Sequence, residues 1–486
     1  MSAVVAHKGD AGAVALVLDA DTGASLTTAD AAPYLDASVV TDISPNVGQL
    51  GTEVTITGAR LLGGGSAIDS VTFGDQVATL VTSDQDDAID VVDVGGGIVG
   101  EAVDVVIVSD SGARTTASEG WTQLAAGEIT SLTPAVGQVG TRVTIAGTNM
   151  LAGGSVAAEI TLAGTAVGEI VDGSSDDEIV IVSTNAGNDV TGDVVIKSDT
   201  GSITTLAGGW GYTTAGAVDT VVPATGQLNT EVIISGSNLF GGGDSIASIT
   251  LGSLSVKSIS DESDDAITVI VDDAGGASNA AEDITIISNT GAITVVAGAW
   301  QYLEAGVIAD VNPESGVFKT AVTITGERLH GGGSAVKSVK LAGVEVESIE
   351  AESDTSVEVI AADASDVAGD ILLTTDTGAT VTKAIGWTYL EAGSIATVEP
   401  SYGQLNTKVL LSGDRLLCGG TDLVSVTLAG VSDNDIVSAE DSSVTVVAAG
   451  ADAAASGDAV LVADSGGQTT KSDGWTYKEA GEIPAP

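Results

Sequence analysis

Short clusters of aspartate are the residues best suited to hold a metal ion in this sequence, because carboxylate oxygens are the ligands that calcium prefers. The segment from Asp84 to Asp90 nevertheless lacks the glycine and the distal glutamate of an EF-hand loop. We expect solvated loops here and keep weak calcium binding as the alternative, against which a chelator-insensitive melting temperature would count. No other cofactor is expected. The calcium candidates are Asp84, Asp86, Asp87, Asp176, Asp177, Asp264 and Asp265.

The inventory of nucleophiles and bases argues against an enzyme. The chain has two histidines, His7 and His330, and one cysteine, Cys418, so no Ser-His-Asp or Cys-His set can recur along it. It also contains no H-E-x-x-H motif and no phosphate-binding G-x-x-x-x-G-K-[ST] motif. We therefore predict a protein without catalytic residues.

The charge balance excludes several classes of partner. The 486 residues include 67 acids and only 15 bases, a formal net charge of −52. Such a surface repels nucleic acids and anionic membranes, and it is typical of a protein that stays hydrated in a salty medium. No run reaches the roughly 18 apolar residues of a membrane helix, so we expect no membrane insertion in this segment.

Tryptophan and proline recur with a period of about 88 residues, which indicates five copies of one unit. From each of the first four tryptophans to the next proline the distance is always 13 residues, whereas the copies differ in length elsewhere. We interpret these pairs as a packed junction between neighbouring modules, with no flexible linker, so that the array is stiff. The junction residues are Trp121 with Pro134, Trp210 with Pro223, Trp300 with Pro313, and Trp387 with Pro400.

The repeat sets the predicted domain boundaries. The copies are expected at residues 38–126, 127–215, 216–305, 306–392 and 393–486, the last with a short tail. Residues 1–37 are expected to be the last strands of a further copy, because Asp21-Thr22-Gly23 matches Asp199-Thr200-Gly201. We expect the chain to be a segment of a longer array.

Within each copy the apolar residues alternate with polar ones, a period of two that predicts β-strands. In the first copy the predicted strands are 54–57, which Gly58 ends, 70–73 and 88–92, and a fourth that includes Val105 and Ile107. The last two positions are apolar in every copy and should face inward. About seven short strands per copy are typical of an immunoglobulin-like β-sandwich.

Two further sets of residues recur in all copies. Asp110-Ser111-Gly112 and its counterparts predict a hairpin turn between the last two strands, because Asp and Gly tolerate positive φ. Asp104 and its counterparts Asp193, Asp283, Asp370 and Asp458 are expected to bond the backbone. Cys418 replaces a small turn residue; the alternative is a thiol available for an intermolecular bridge.

The opening of each copy resembles the IPT/TIG module. In the first copy the pattern is Pro45-x-x-Gly48-x-x-Gly51-Thr52-x-Val54-Thr55-Ile56-x-Gly58, and it returns in the other four. The resemblance implies an all-β chain, a tandem array of immunoglobulin-like sandwiches related to those of plexins, some transcription factors and microbial surface proteins. The basic loops of the DNA-binding members are absent.

Two functions compete on this evidence. The leading hypothesis is an extracellular or cell-surface structural or adhesive protein, a stiff spacer or a component of a surface filament, which self-associates or contacts other surface proteins. The alternative is a ligand-binding surface module for carbohydrate or a protein receptor. That alternative predicts an exposed aromatic in one copy, for which the candidates are Phe240, Phe318 and Tyr402.

Overall fold

The structure is a computed structural model that describes residues 12–19, 22–78, 80–92, 98–171, 175–185, 187, 189–275, 280–364, 366–432 and 434–479. Every regular element among these residues is a β-strand. The strands form an N-terminal hairpin and five β-sandwiches, so the predicted all-β class is confirmed. The chain divides into two compact units. One contains the chain up to Gly216 with Phe240–Ala247 and Ile287–Thr294; the other contains Ala217–Leu239, Ser248–Ile286 and the chain from Val295.

The N-terminal strands form a two-stranded antiparallel sheet, which agrees with the final hairpin expected there. The predicted turn begins at Asp21, outside the described residues, and Gly23 in that turn has a φ of 84°. These strands are β1 (Gly12–Asp19) and β2 (Ser25–Tyr34).

The first sandwich packs a four-stranded sheet, in the order β3-β5-β9-β8, on a five-stranded sheet, in the order β4-β11-β10-β6-β7. Its strands are β3 (Val39–Ser44), β4 (Val47–Gly48), β5 (Glu53–Ala59), β6 (Ile68–Phe73), β7 (Gln76–Val77), β8 (Leu80–Asp84), β9 (Ala88–Val92), β10 (Ala102–Ser109) and β11 (Arg114–Gln123).

The second sandwich repeats this arrangement, with sheets β12-β14-β18-β17 and β13-β20-β19-β15-β16. Its strands are β12 (Glu128–Thr133), β13 (Val136–Gly137), β14 (Arg142–Thr148), β15 (Ala157–Leu162), β16 (Thr165–Ala166), β17 (Glu169–Ile170), β18 (Glu178–Val182), β19 (Val190–Ser198) and β20 (Ile203–Tyr212).

The third sandwich has the strand orders β21-β23-β27-β26 and β22-β29-β28-β24-β25. Its strands are β21 (Ala217–Val222), β22 (Thr225–Gly226), β23 (Glu231–Ser237), β24 (Ile246–Leu251), β25 (Leu254–Ser255), β26 (Ser258–Glu262), β27 (Ala266–Ile270), β28 (Glu282–Ser288) and β29 (Ile293–Tyr302).

The fourth sandwich has the strand orders β30-β32-β36-β35 and β31-β38-β37-β33-β34. Its strands are β30 (Val307–Asn312), β31 (Ser315–Gly316), β32 (Ala321–Glu327), β33 (Val336–Leu341), β34 (Val344–Glu345), β35 (Ser348–Glu352), β36 (Ser356–Ile360), β37 (Val367–Thr375) and β38 (Thr380–Tyr389).

The fifth sandwich packs β39-β41-β44-β43 on β40-β46-β45-β42. Its strands are β39 (Ser394–Glu399), β40 (Tyr402–Gly403), β41 (Lys408–Asp414), β42 (Leu423–Leu428), β43 (Asp435–Glu440), β44 (Ser443–Val447), β45 (Ala455–Ala463) and β46 (Gln468–Tyr477).

The repeated proline marks the point where the first strand of a sandwich changes sheets. In the first sandwich, β3 pairs with β5, and after the cis Ser44–Pro45 bond the chain crosses to the other sheet, where β4 runs parallel to β11. The proline therefore follows the first strand of its sandwich. Each crossing leads directly into the loop that contacts the next sandwich.

Alternation of apolar and polar residues builds the cores, as predicted. Val105 and Ile107 are both fully buried, and so are their counterparts in the other four sandwiches. In the second to fifth sandwiches the tryptophan packs edge-on against the tyrosine two residues later, with ring centroids 5.5 Å apart. In the first sandwich Trp121 packs on Phe73 instead, at 5.2 Å. Such pairs are among the larger apolar contributions to a small core.

Gly58 lies within β5, so the prediction that it ends this strand is wrong. Its role is to permit close approach of the neighbouring strand. A Cβ at this position would lie only 2.2 Å from the carbonyl oxygen of Val39 on β3. The same contact recurs at Gly147, Gly236, Gly326 and Gly413.

The recurring aspartate at the start of the fourth long strand bonds the backbone, which confirms the prediction for it. Asp104 Oδ1 accepts the N–H of Glu119 at 2.9 Å, across an irregularity in the pairing of β10 with β11. The residue whose N–H is accepted has positive φ in every sandwich: Glu119, Gly208, Gly298, Ile385 and Asp473.

Replacing Ile385 with asparagine should stabilise the fourth sandwich. Ile385 is 79% exposed and has a φ of 50°, a left-handed conformation that costs a β-branched residue about 1–2 kcal/mol and that asparagine tolerates. We expect Ile385→Asn to slow amide hydrogen exchange in β37 and β38 roughly fivefold, the equivalent of about 1 kcal/mol. Val367→Asn on β37, where φ is negative, is the control and should not slow exchange. Unchanged or faster exchange in I385N would contradict the strain.

Candidate functional site at the sandwich joints

A glutamine four residues after the proline occupies the centre of three joints. Gln49, Gln138 and Gln227 are only 3%, 3% and 4% exposed. Each sits in a tight loop that a buried threonine closes: Gln49 N donates to Thr52 Oγ1 at 3.0 Å, and Thr52 N donates to Gln49 O at 3.0 Å. The preceding glycine is required, since a Cβ at Gly48 would lie 2.4 Å from Thr52 Oγ1 and 2.7 Å from Trp121 Cη2.

The side-chain amide of this glutamine bridges the linker and the next sandwich. At the first joint, Gln49 Oε1 accepts the N–H of Gly127 at 2.6 Å, and Nε2 donates to Ile203 O and Thr204 Oγ1, both at 3.3 Å. Gln138 and Gln227 make the corresponding bonds, to Gly216 and Ile293 and to Gly306 and Thr380. Both ends of a buried amide are thus satisfied by groups outside its own sandwich.

Backbone hydrogen bonds accompany the amide. The first residue of the second long strand donates its N–H to the middle residue of the next sandwich's hairpin turn. The bonds are Glu53 to Thr200, Arg142 to Thr290 and Glu231 to Thr377, each 2.8 Å, and Ala321 to Ser465, 3.0 Å. The predicted hairpin turn is therefore part of the surface that receives the preceding sandwich.

The joint between the fourth and fifth sandwiches uses apolar packing in place of the amide. Val317 occupies the glutamine position, is 2% exposed and packs within the core cluster of the fifth sandwich. Cys418 belongs to the same cluster and is completely buried; its Sγ lies 3.1 Å from Thr469 Oγ1, and burial raises the pKa of the thiol. This burial corrects the interpretation of Cys418 as a thiol available for an intermolecular bridge.

The tryptophans and prolines of the predicted junction lie inside their sandwiches. Trp121, Trp210, Trp300 and Trp387 are at most 1% exposed, and each packs in the core. The indole of Trp121 lies beneath Gly48, so it supports the loop that carries Gln49. Pro134, Pro223, Pro313 and Pro400 each follow the first strand of their sandwich, and all have cis peptide bonds. A direct contribution of the Trp–Pro pairs to the joints stays a prediction.

The proposed calcium ligands are engaged with the backbone where the structure describes their contacts. Asp84 Oδ2 accepts the N–H of Ile68, Asp86 Oδ1 that of Leu62, and Asp176 Oδ1 that of Leu151. The carbonyl oxygens of Asp87, Asp177, Asp264 and Asp265 accept further N–H groups. Within the described part of the chain, no three His, Cys, Asp or Glu side chains are grouped so that they could hold a metal. Calcium binding stays a prediction.

The hairpin aspartates hold the loop that precedes the third long strand. Asp199 Oδ1 accepts the N–H of Ser155 at 2.9 Å, and Oδ2 accepts its hydroxyl at 2.5 Å. The hydroxyl of Ser155 is the main reason that the pKa of Asp199 is lowered, because it stabilises the carboxylate. Asp110, Asp376 and Asp464 bind Ser66, Ser334 and Thr421 in the same way, and their pKa values are lowered too.

Of the three aromatics named as possible ligand contacts, only Tyr402 is exposed. Its side chain is 57% exposed, and Lys478 Nζ lies 5.2 Å from the centre of its ring. Phe240 and Phe318 are half-buried.

The sequence profile of the IPT/TIG domain matches residues 38–119 and 128–209, which correspond to the first two sandwiches. The same strand order recurs in the remaining three. No curated protein matches this chain. No helix long and apolar enough to span a bilayer occurs among the described residues.

Solved structures of extracellular repeat proteins are similar over much of the chain. The full extracellular region of plexin A4 is 15% identical, with 91% of this chain and 43% of that chain covered and a TM-score of 0.35. A second plexin A4 structure is spanned over 62% of its length. The eight N-terminal Ig domains of Down Syndrome Cell Adhesion Molecule are 10% identical, with 94% and 73% covered and a TM-score of 0.22. Bacteroides ovatus SGBP-B, solved with a mixed-linkage heptasaccharide, is 14% identical, with 67% and 89% covered and a TM-score of 0.17. These scores carry no conclusion about function.

Removing a joint amide should loosen its joint. Gln227→Ala takes the partner from the Gly306 N–H and the Thr380 carbonyl, a loss of about 1–3 kcal/mol. We expect amide exchange at Gly306 and Thr380 to accelerate about tenfold or more by mass spectrometry. Gln404→Ala is the matched control, because Gln404 has the same loop bonds to Thr407 but is exposed, and it should change stability by less than about 0.5 kcal/mol. Equal effects of the two variants would contradict a role of the amide in the joint.

The hairpin aspartates should make stability depend on pH in the acid range. Because the pKa of Asp199 is lowered on folding, its contribution is present above the unfolded-state pKa of about 3.9 and is lost as pH falls through the folded-state pKa. Asp199→Asn should therefore destabilise the second sandwich at neutral pH, by less than about 1 kcal/mol since the carboxylate is exposed. The difference from the unmodified chain in urea unfolding should shrink below about pH 4. A difference that is constant with pH would contradict this account.

Proposed function

Because this chain is an array of IPT/TIG domains, we propose that it is a non-enzymatic structural or adhesive protein of the cell exterior. In this role it is a stiff spacer, or a component of a surface filament, that sets the distance between whatever lies at its two ends. The observation that carries the proposal is the joint: each described joint uses hydrogen bonds or core packing between adjacent sandwiches in place of a flexible linker.

The spacing of the joints supports a mechanical role. At three joints one buried amide takes hydrogen bonds from the linker and gives them to the next sandwich, so bending a joint leaves polar groups buried without partners. A fixed angle between neighbours is of no use to a chain that only tethers a catalytic domain. It is useful to a chain that must hold a defined distance.

A non-catalytic role agrees with the chemistry of the described residues. IPT/TIG and other immunoglobulin-like domains are typically non-catalytic. Cys418 is buried within a core, and its thiol has a raised pKa, which disfavours a nucleophilic thiolate. The recurring carboxylates bond backbone N–H groups of their own sandwiches.

An extracellular location is part of the proposal. A net charge of −52 favours a hydrated surface in a salty medium, where counterions screen repulsion between modules. The proposed partners are other surface proteins or further copies of the chain.

Recognition of carbohydrate is the alternative function, and Tyr402 is the one observation in its favour. Its exposed ring could stack on a sugar, although Lys478 already lies over the ring. Binding of glycans by the full chain that is lost in Tyr402→Ala would favour this alternative.

Small-angle X-ray scattering of the full chain tests the spacer proposal. We expect the unmodified chain to fit a single conformation. A Gly/Ser insertion between Glu304 and Ala305, which separates Gly306 from Gln227, should require an ensemble with a broader distance distribution. The same insertion after Gly343, in an exposed turn within the fourth sandwich, is the control and should leave the distribution narrow. An ensemble for the unmodified chain would overturn the proposal.

A further inference from the structure

Every joint brings together two surfaces, which we name the exit face and the entry face. The exit face is the loop of the glutamine position: residues 48–52 in the first sandwich and 403–407 in the fifth. The side chain at its centre is buried in the first four sandwiches, at Gln49, Gln138, Gln227 and Val317. Gln404 of the fifth sandwich is exposed, and Gly403 is only half-buried where its counterparts are buried.

The entry face receives the exit face of the preceding sandwich. In the first sandwich it consists of Gly63, the hairpin turn at residues 110–112, and residues 113–115. Gly63 and Ala113 are half-buried. Their counterparts in the other sandwiches are all buried: Ala152, Gly241, Gly331 and Cys418, and Ser202, Ala292, Ala379 and Gly467. The first sandwich therefore has an entry face that is less covered than those of the other four.

Both uncovered faces already have the conformation seen in covered ones. Gln404 N donates to Thr407 Oγ1 at 3.0 Å, as Gln49 N does to Thr52 Oγ1. Asn406 N donates to Ala448 O at 2.9 Å, and its counterpart Asn229 makes the same bond to Val271.

The entry face of the first sandwich is similarly prepared. Ser109 N donates to Ala113 O at 3.0 Å and Gly112 N to Ser109 O at 2.9 Å, which shapes the turn as in the second sandwich. Thr115 occupies the position of Thr204, the hydroxyl that Gln49 contacts. Docking of an exit face would therefore require little rearrangement of either partner.

We propose that the fifth sandwich of one copy of this chain docks on the first sandwich of a second copy, through the same contacts that join sandwiches within the chain. The Gln404 amide enters beside Gly63, Ala113 and Thr115 of the second copy. Lys408 N donates to Ser111 O, as Glu53 N does to Thr200 O. The inference deepens the proposed function, on which it rests, by naming the partner as another copy of the chain.

The geometry of this contact has two consequences. It joins two different surfaces, so it is heterologous, and each added copy presents a new exit face; the products are open chains or closed rings. Each copy also carries a charge of −52, so repulsion opposes the contact and added salt should strengthen it.

Sedimentation velocity of the full chain, over a wide range of concentration and salt, tests the proposal. The unmodified chain should form species larger than a dimer as concentration rises. Gln404→Arg places a charge where the exit face becomes buried and should raise the dissociation constant about tenfold or more. Ala113→Arg should do the same from the entry face. Val437→Arg, at an exposed position elsewhere on the fifth sandwich, is the control and should leave association unchanged.

Mixing the two variants distinguishes this contact from other modes of association. A chain with Gln404→Arg keeps its entry face, and a chain with Ala113→Arg keeps its exit face. Each alone should be monomeric, and an equal mixture should give dimers and nothing larger. Self-association that is insensitive to Ala113→Arg, or an unmodified chain that is monomeric under all conditions, would overturn the inference. A monomer that still fits one conformation in scattering would leave the spacer proposal intact.

Discussion

A buried side-chain amide must have partners for both its oxygen and its nitrogen, and this requirement organises the joints. Inside a protein an unpaired amide costs about 1–3 kcal/mol, more than a typical hydrogen bond contributes when made. Gln49 finds its partners on Gly127 and on Ile203, which belong to the linker and to the following sandwich. Neither element can move alone without breaking a bond. The amide thus converts a covalent connection into a defined orientation between those neighbours.

The fourth joint shows that the same space can be filled in a different way. Where the glutamine is present, the facing residue is small: a Cβ at Gly331 would lie 2.9 Å from Gln227 Nε2. Where Cys418 takes that position, the glutamine is replaced by Val317, and both side chains join one apolar core. The two positions are therefore coupled sterically and by polarity. Ala152 opposite Gln49 shows that a single methyl group is still compatible with the amide.

Much of the sandwich could be predicted from this sequence, whereas the joint could not. Strands such as β9 and inward positions such as Val105 follow from the two-residue period, which depends on local burial alone. The tryptophan-to-proline distance indicated a packed joint, but the polar bonds across it come from Gln49, a residue type that is usually exposed. Its recurrence four residues after the proline in four of the five copies was the available signal. Gly58 was misjudged because the carbonyl of Val39 that approaches it lies 19 residues away in sequence.

The choice of neutral groups for the joints matters in so acidic a chain. Among the described residues, ion pairs such as Arg328 with Glu304 and Lys197 with Glu53 have exposed carboxylates and contribute little, since solvent and salt screen them. The bonds of Gln49, Gln138 and Gln227 join uncharged amides, carbonyls and hydroxyls in buried positions, so ionic strength hardly affects them. Charge can then vary freely on the outer surface for hydration, while the orientation at each joint depends on groups that neither titrate nor attract counterions. A spacer exposed to changing salt needs this separation, because a joint built on surface ion pairs would loosen whenever the salt concentration rose.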